Sequence, residues 1–446
     1  MESILVLVGR KMKTVSNITR DKKYNFTNSV RAFLPRHALV PLNKEGEDNF
    51  TCIVNPGDSV TEGQIVGFYM DDESGKKIYV HASLPGKIES FEQCGFPDGK
   101  KGSALKIRVE GSFSFLGKLV QANEWQWNNA EQILAAISEK GVRNTFGKPE
   151  DLAVQISNCK VQKGRFLVIR MFDDDPSYET DTFVAKKHTK EILEGAHIVS
   201  HALKAKGIVF ALPQKSPVEI SADEFGTLPV FKIAMDDTRY PTGFVQNIVH
   251  AVKKAQKTQE QELFDSISQF GLFIDPETLY SVYEAVVLGK PVVESFVHVT
   301  GNCLRSSALL RVRIGTTVRS LMEQCGGCDR ALGKIIVNGV VTGDCVESLD
   351  TIITKDVKSV SFVPKSELSD QERNPCIRCG KCRSICPEGI FPDLIYRHCN
   401  GGKKIGREML STTALCSGCC LCNSVCPSRL PLCQTIDNLR NAENEI

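Results

Sequence analysis

Two stretches near the end of the chain, CIRCGKCRSICP and CSGCCLCNSVCP, place cysteines in one pattern, C-x2-C-x2-C-x3-C, each followed by proline. The first sets Cys376, Cys379, Cys382 and Cys386 ahead of Pro387, and the second sets Cys416, Cys419, Cys422 and Cys426 ahead of Pro427. Nothing else in the sequence restricts the fold as strongly. Three cysteines on a tight loop turn their sulfurs to a common face, whereas the fourth, after a longer gap, points away from it. The proline removes a backbone N–H and fixes φ, so the chain turns away at that point.

This is the spacing of two-cluster ferredoxins, in which the ligand sets cross. It predicts Cys376, Cys379, Cys382 and Cys426 on one 4Fe-4S cluster, and Cys416, Cys419, Cys422 and Cys386 on the other. The interval between the motifs, with Leu394, Ile395 and Tyr396, is long enough for a short helix over the pair. A zinc ribbon is the bland alternative, since C-x2-C pairs also make tetrahedral zinc sites. Zinc needs four ligands, however, and no third cysteine at this regular interval. Cys420 falls between two expected ligands and is read as packing, and Cys399 and Cys433 are read as residues around the clusters. Cys52, Cys94, Cys159, Cys303, Cys325, Cys328 and Cys345 are read as structural; Cys325-Gly-Gly-Cys328 is a C-x2-C without a partner pair.

A chain of 446 residues holds several domains. Its net charge of +2 excludes a general basic field for nucleic acid. Of the 18 cysteines, the ten that are not expected ligands form no paired framework. Thiolates that hold iron must stay reduced, which points to a compartment in contact with the cytosol. The start, MESILVLVGRKMK, has an apolar run only from Ile4 to Val8 with Glu2 ahead of it, too short for a signal peptide, and Met12 is an alternative start. No later run approaches a membrane span, so attachment to a membrane is expected only through partners.

The chain divides into an N-terminal segment (1–27) and four modules. Residues 28–120 are strand-rich with frequent turn signals; VNPGDSVTEGQIVGF and HASLPGKIESF resemble the two pseudo-symmetric halves of a barrel-sandwich hybrid, the fold of lipoyl and biotinyl domains. Lys76 and Lys77 lie where such domains carry a cofactor. Asp72 and Glu73 precede them and the local motif differs, so a solvated hairpin on a docking module is the preferred reading. Residues 121–302 alternate helix and strand. Helices are expected at 125–140, 182–206, 243–256 and 276–288, with strands at 166–170, 207–211 and near Phe231, which implies a parallel sheet covered by helices. Residues 303–364 suit a β-grasp (SLBB-like) module, and 365–446 a helical, ferredoxin-type domain with two 4Fe-4S clusters. The fold class is therefore multidomain α/β plus β.

The order of these modules, with VRIGTTV, CIRCGKCRSICP and the closing CPSRLPL, resembles the C subunit of the Rnf ion-translocating electron-transport complex from about residue 28 onward. The stretches Tyr240-Pro241-x-Gly243 and VxLGKPVVESFVHVTG support it. The resemblance implies a peripheral subunit on the cytoplasmic face of the cell membrane, with integral-membrane and peripheral partner subunits and a soluble electron donor. It also implies an α/β domain like the flavin- and NADH-binding subunit of respiratory complex I, with electrons entering from NADH through FMN and leaving over two clusters.

The sequence departs from the family where flavin and nucleotide are expected. A loop of the GGAGFP kind, whose bare backbone approaches phosphate, is here Gly141-Val142-Arg143-Asn144-Thr145-Phe146-Gly147-Lys148-Pro149. A stretch of the form NGAECEP is here Arg170-Met171-Phe172-Asp173-Asp174-Asp175-Pro176, and YPxGGEK has become Tyr240-Pro241-Thr242-Gly243-Phe244-Val245-Gln246. What is left of the site is Gly141, Gly147, Asp175, Tyr240 and Gly243. The departures count against FMN and NADH, and the domain resembles the A subunit of the sodium-pumping NADH-quinone reductase, which shares the ancestral fold without a working flavin site. Asp173, Asp174 and Asp175 are read either as a solvated turn and helix cap or as a cation site. His188, His197, His201 and His298 show no metal spacing.

Three functions remain: an electron-relay subunit of an Rnf-like oxidoreductase, a self-contained FMN-dependent NAD(P)H dehydrogenase akin to cobalamin reductases, and a scaffold with structural clusters. The first fits the crossed cysteines and the altered flavin loop best.

Overall fold

Alternating burial folds residues 37–109 into two facing antiparallel sheets. One is ordered His37–Lys44, Lys101–Val109, Gly86–Gly95, Ser59–Val60; the other is Phe50–Cys52, Ile65–Met70, Lys77–His81. Val40, Leu42, Val66, Ile88, Leu105 and Ile107 fill the space between them. Gly86 is required where the halves meet, because a Cβ there would strike the carbonyl of Arg108. The computed structural model describes residues 4–5, 14–15 and 26–443, except 46–48, 72–73, 117–119, 160–164, 217, 256–266, 268–270, 369–371 and 402–405. Most of segment 1–27, Met12 as a start, and Asp72 and Glu73 lie outside the described residues.

Lys76 and Lys77 are exposed, as the hairpin reading requires, and both are engaged. Lys76 Nζ donates to the Ser157 hydroxyl, and Lys77 Nζ lies 4.2 Å from the centre of the Phe68 ring. The barrel is also fixed to the rest of the chain through Glu62. Its carboxylate accepts from the N–H groups of Ser114 (2.6 Å) and Phe115 (2.8 Å) and pairs with Arg313.

The α/β layer has four parallel strands in the spatial order Val230–Met235, Gly207–Pro213, Phe166–Arg170, Gly271–Ile274. Helix Ala130–Glu139 starts at a capping box in which Asn129 and Gln132 satisfy each other's N–H groups, and it buries Ile133, Leu134 and Ile137, the face given by their spacing. The helix expected over 182–206 is instead two, Thr180–Lys187 and Thr189–Leu203. The break falls at His188 (φ −121°, ψ 37°), whose ring packs 4.5 Å from Tyr280 and 5.8 Å from Phe296. Leaving the helix lets that ring join the aromatic core.

A third sheet has six strands, ordered Asp344–Val346, Leu332–Val337, Ser359–Pro364, Glu294–Thr300, Ala308–Arg313, Val30–Arg31. It crosses two expected boundaries. Glu294–Thr300, assigned by sequence to the α/β module, sits in the middle of this sheet and is buried at every position. Val30–Arg31, assigned to the barrel, pairs in parallel with Leu310 and Arg311. Glu294–Thr300 is buried on both faces and takes a neighbour on each side from distant sequence, whereas Val30–Arg31 is an exposed edge strand with one neighbour. The chain ends in short helices, among them Lys381–Ile385, Pro392–Asn400, Leu421–Ser424 and Leu432–Glu443. Pro392–Asn400 is the helix expected between the motifs.

Candidate functional site

The two cysteine loops share one backbone. Arg378 and Gly418 have φ of 56° and 73°, Gly380 and Cys420 74° and 55°, Gly389 and Arg429 69° and 54°. These pairs occupy matching positions in the two motifs, so each half turns left-handed three times, with glycine at only some of the six places. Gly380 and Cys420 are the N-caps of Lys381–Ile385 and Leu421–Ser424.

These turns bring the sulfurs together across the motifs. Cys386, from the first motif, lines one small cavity with Cys416, Cys419 and Cys422 from the second, and Cys420 and Cys433 complete its wall. Cys426, from the second motif, shares a buried cluster with Cys376 and Cys382 of the first. Cys379 is exposed. Backbone N–H groups point at the sulfurs: those of Glu388, Gly389 and Ile390 at Cys386, that of Gly418 at Cys416, that of Leu421 at Cys419, and those of Asp393 and Arg383 at Cys382. Burial pushes the Cys419 thiol up to about 12 and also raises Cys386 and Cys382. Among the described residues no three His, Cys, Asp or Glu side chains converge tightly enough to hold one metal ion. A cube with iron at four corners spreads its ligands more widely than a single ion does, and the donor set fits such a cluster.

In sequence order the strands of the parallel sheet run 3-2-1-4, so the chain reverses direction between Phe166–Arg170 and Gly271–Ile274. The crevice at the carboxyl ends of such a pair is where open α/β sheets bind ligands. Here it is filled from within. Arg170, 1% exposed, donates to the Gly243 carbonyl (3.1 Å), pairs with Asp174 (3.3 Å) and Asp181 (3.2 Å), and lies 4.4 Å from the centre of the Phe146 ring. Lys358 Nζ stands 2.7 Å from both Asp181 and Asp275. Thr145 donates to Asp275 (2.7 Å) and so closes the loop that replaces the glycine cradle over the network. Burial raises Asp181 to about 7 even beside Lys358. Burial alone would lower Lys358, but the carboxylates of Asp181 and Asp275 hold it above its ordinary value.

Neither reading of the aspartate run holds in full. Asp173 caps helix Thr180–Lys187, accepting from the N–H groups of Asp181 (2.7 Å) and Thr182 (3.1 Å). Asp174 accepts from the Tyr178 hydroxyl and pairs with Arg170. Asp175 accepts from Ser177 N (2.8 Å) and Val341 N (3.0 Å). All three carboxylates serve the protein's own donors; the run is neither a solvated turn nor a cation site. The five positions left of the flavin site are dispersed. Gly243 and Asp175 border the ion network, Gly141 packs on Lys355 and Tyr79, a Cβ on Gly147 would meet nothing within 4 Å, and the Tyr240 hydroxyl donates to the Cys419 carbonyl at 2.7 Å. A crevice lined by buried carboxylates and plugged by Arg170 and Phe146 does not fit a flavin phosphate.

Residues 15–112 match the family model described as RnfC Barrel sandwich hybrid domain. The chain is 26% identical over 374 residues to the C subunit of the ion-translocating oxidoreductase complex of Pectobacterium atrosepticum, covering 81% of this chain and 52% of that one. It is 22% identical over 377 residues to the C subunit of the proton-translocating ferredoxin:NAD(+) oxidoreductase complex of Clostridium ljungdahlii, covering 84% and 81%. The chain is similar to these C subunits over most of its length. It spans about half the length of the Pectobacterium and Vibrio relatives it matches. A chain of an NAD+-reducing NiFe hydrogenase in the H2-reduced state aligns over 70% of this chain and 61% of its own length, at 12% identity and a TM-score of 0.46.

His197 and His201 flank Trp125, with ring centroids 5.3 and 6.4 Å away, along a surface cleft of about 690 Å³. His298 is buried and accepts from the Glu179 N–H through Nδ1 (3.2 Å). Sequence reasoning missed the plug formed by Arg170, Lys358 and Phe146. The one local signal was an arginine closing the otherwise apolar strand FLVIR.

Proposed function

We propose that this chain is an electron-relay subunit of a membrane-associated, ion-translocating oxidoreductase. In this reading Cys376, Cys379, Cys382 and Cys426 hold one 4Fe-4S cluster, and Cys386, Cys416, Cys419 and Cys422 hold the other. The observation that supports it is contact across the motifs: Cys386 lines a cavity with Cys416, Cys419 and Cys422, and Cys426 shares a buried cluster with Cys376 and Cys382. Bound clusters of this type supply reversible one-electron storage. The protein's part is to bury the sulfurs, to direct N–H groups at them, and to leave one end of the path open at the exposed Cys379. The other end lies against the α/β module, where Tyr240 touches the Cys419 backbone.

The names of the relatives support a place in such a complex. Partner membrane subunits hold the chain at the cytoplasmic face, and a soluble donor or a neighbouring subunit feeds it. Among the described residues no helix is long and apolar enough to cross a membrane. The barrel-sandwich hybrid (28–120) and an SLBB-like β-grasp module (303–364) are docking units around the α/β module (121–302), and 365–446 is the ferredoxin-type domain. The plugged switch point argues against the alternative, an FMN-dependent NAD(P)H dehydrogenase.

The test is anaerobic purification with iron, sulfide and flavin quantified together, followed by NADH while cluster absorbance is watched. About eight irons, no flavin and no bleaching by NADH support the relay. Bound FMN with rapid bleaching would make the chain the electron-input dehydrogenase instead.

A further inference from the structure

The second residues of two helices stand in matching places. Asp393 and Cys433 each follow the fourth cysteine of their motif by seven positions, in Pro392–Asn400 and Leu432–Glu443. Each faces the third cysteine of its own half. Cys433 lines one small cavity with Cys416 and Cys422, its thiol within hydrogen-bonding reach of both sulfurs. It is 1% exposed, and its backbone N–H is pinned to Asn423 Oδ1 at 2.9 Å. Asp393 Oδ1 lies 3.8 Å from Cys382 Sγ and is held by Arg383 through two bonds of 2.6 Å. One half therefore presents a thiol to its cluster ligands, and the other a carboxylate.

We infer that Cys433 is not a ligand but a hydrogen-bond donor that raises the reduction potential of the cluster held by Cys386, Cys416, Cys419 and Cys422 above that of the other. Negative charge gathers on the sulfurs when a cluster gains an electron, so an S–H donor favours the reduced form, whereas a carboxylate beside Cys382 disfavours it. Burial keeps water from taking over the donor's role. The inference rests on the proposed two-cluster reading and sets the direction of the relay: the higher-potential cluster is the one next to Tyr240.

The experiment is an EPR-monitored redox titration of the anaerobically reconstituted full chain. Two clusters with separate potentials are expected in the native protein. Cys433→Ala lowers only the higher potential, by up to roughly tenfold in the reduction equilibrium, or about 59 mV for a one-electron couple. Cys433→Ser, which retains a donor, restores most of the difference, and both variants retain full iron. Unchanged potentials in Cys433→Ala overturn the inference. Loss of four irons from that variant also overturns it, by making Cys433 a ligand. A native chain without two clusters defeats the proposed function itself, and the inference with it.

Discussion

The hydroxyl of Tyr240 donates to the carbonyl oxygen of Cys419 across 2.7 Å, joining the α/β module to a cluster loop. Ile385 and Leu421 pack around the buried ring. Tyr240→Phe keeps the packing and leaves the Cys419 carbonyl without this donor. A loss of about 1–3 kcal/mol follows, read as a lower thermal midpoint of the cluster-loaded chain; an unchanged midpoint would show that the bond is not made in solution.

Arg170 is the cation shared by Asp174 and Asp181 at the end of a buried strand. Arg170→Met leaves those carboxylates with less than their charge balance. Removing one partner of a buried pair destabilises by about 3–5 kcal/mol, to be measured by urea unfolding. Added FMN is expected to restore none of it, and a flavin-dependent recovery would show that the crevice still accepts the cofactor.

Cys420 holds a left-handed conformation (φ 55°) at the position where the first motif has Gly380 (φ 74°). A residue with a Cβ is strained there by roughly 1 kcal/mol or somewhat more. Cys420→Gly should therefore stabilise the chain by about that amount with all iron retained, while Gly380→Ala should destabilise it similarly. Iron loss in Cys420→Gly would assign Cys420 a ligand role.

Two buried histidines should each cost stability in mild acid. Burial lowers His298 to about 3, and burial together with the charge of Lys355 lowers His81 to about 3. Above the unfolded value of about 6.5 both rings are neutral in either state. As pH drops below it, the unfolded chain takes up protons that the folded one refuses, so the contribution of these two rings declines from about pH 6.5 toward pH 3, while the raised carboxyl of Asp181 acts in the opposite sense. His298→Gln should flatten the slope of the urea midpoint against pH, and an unaltered slope would place the titration elsewhere.

What the sequence revealed was local. The doubled cysteine loops were legible because their spacing repeats within a short stretch of sequence, and Ile133, Leu134 and Ile137 because one helical turn brings them together. The pairing of Lys358 with Asp181, 177 residues apart, has no local signature. Nor does the ring contact that takes His188 out of its helix, or the pairing of Val30 with Leu310. The altered flavin loop was visible as missing glycines, but what filled the space was not, since the filling groups come from three separate segments.

The six-stranded sheet also orders the assembly of the chain in time. During synthesis the barrel closes from neighbouring hairpins, but Val30–Arg31 waits for Ala308–Arg313, and Glu294–Thr300 lacks its second neighbour until Ser359–Pro364 has emerged. A nascent chain paused near residue 302 would display, with bare edges, a strand that is buried at every position in the finished fold, the kind of surface that recruits other strands. The cysteine loops follow this sheet in sequence, so their sulfurs meet on a scaffold already closed beneath them.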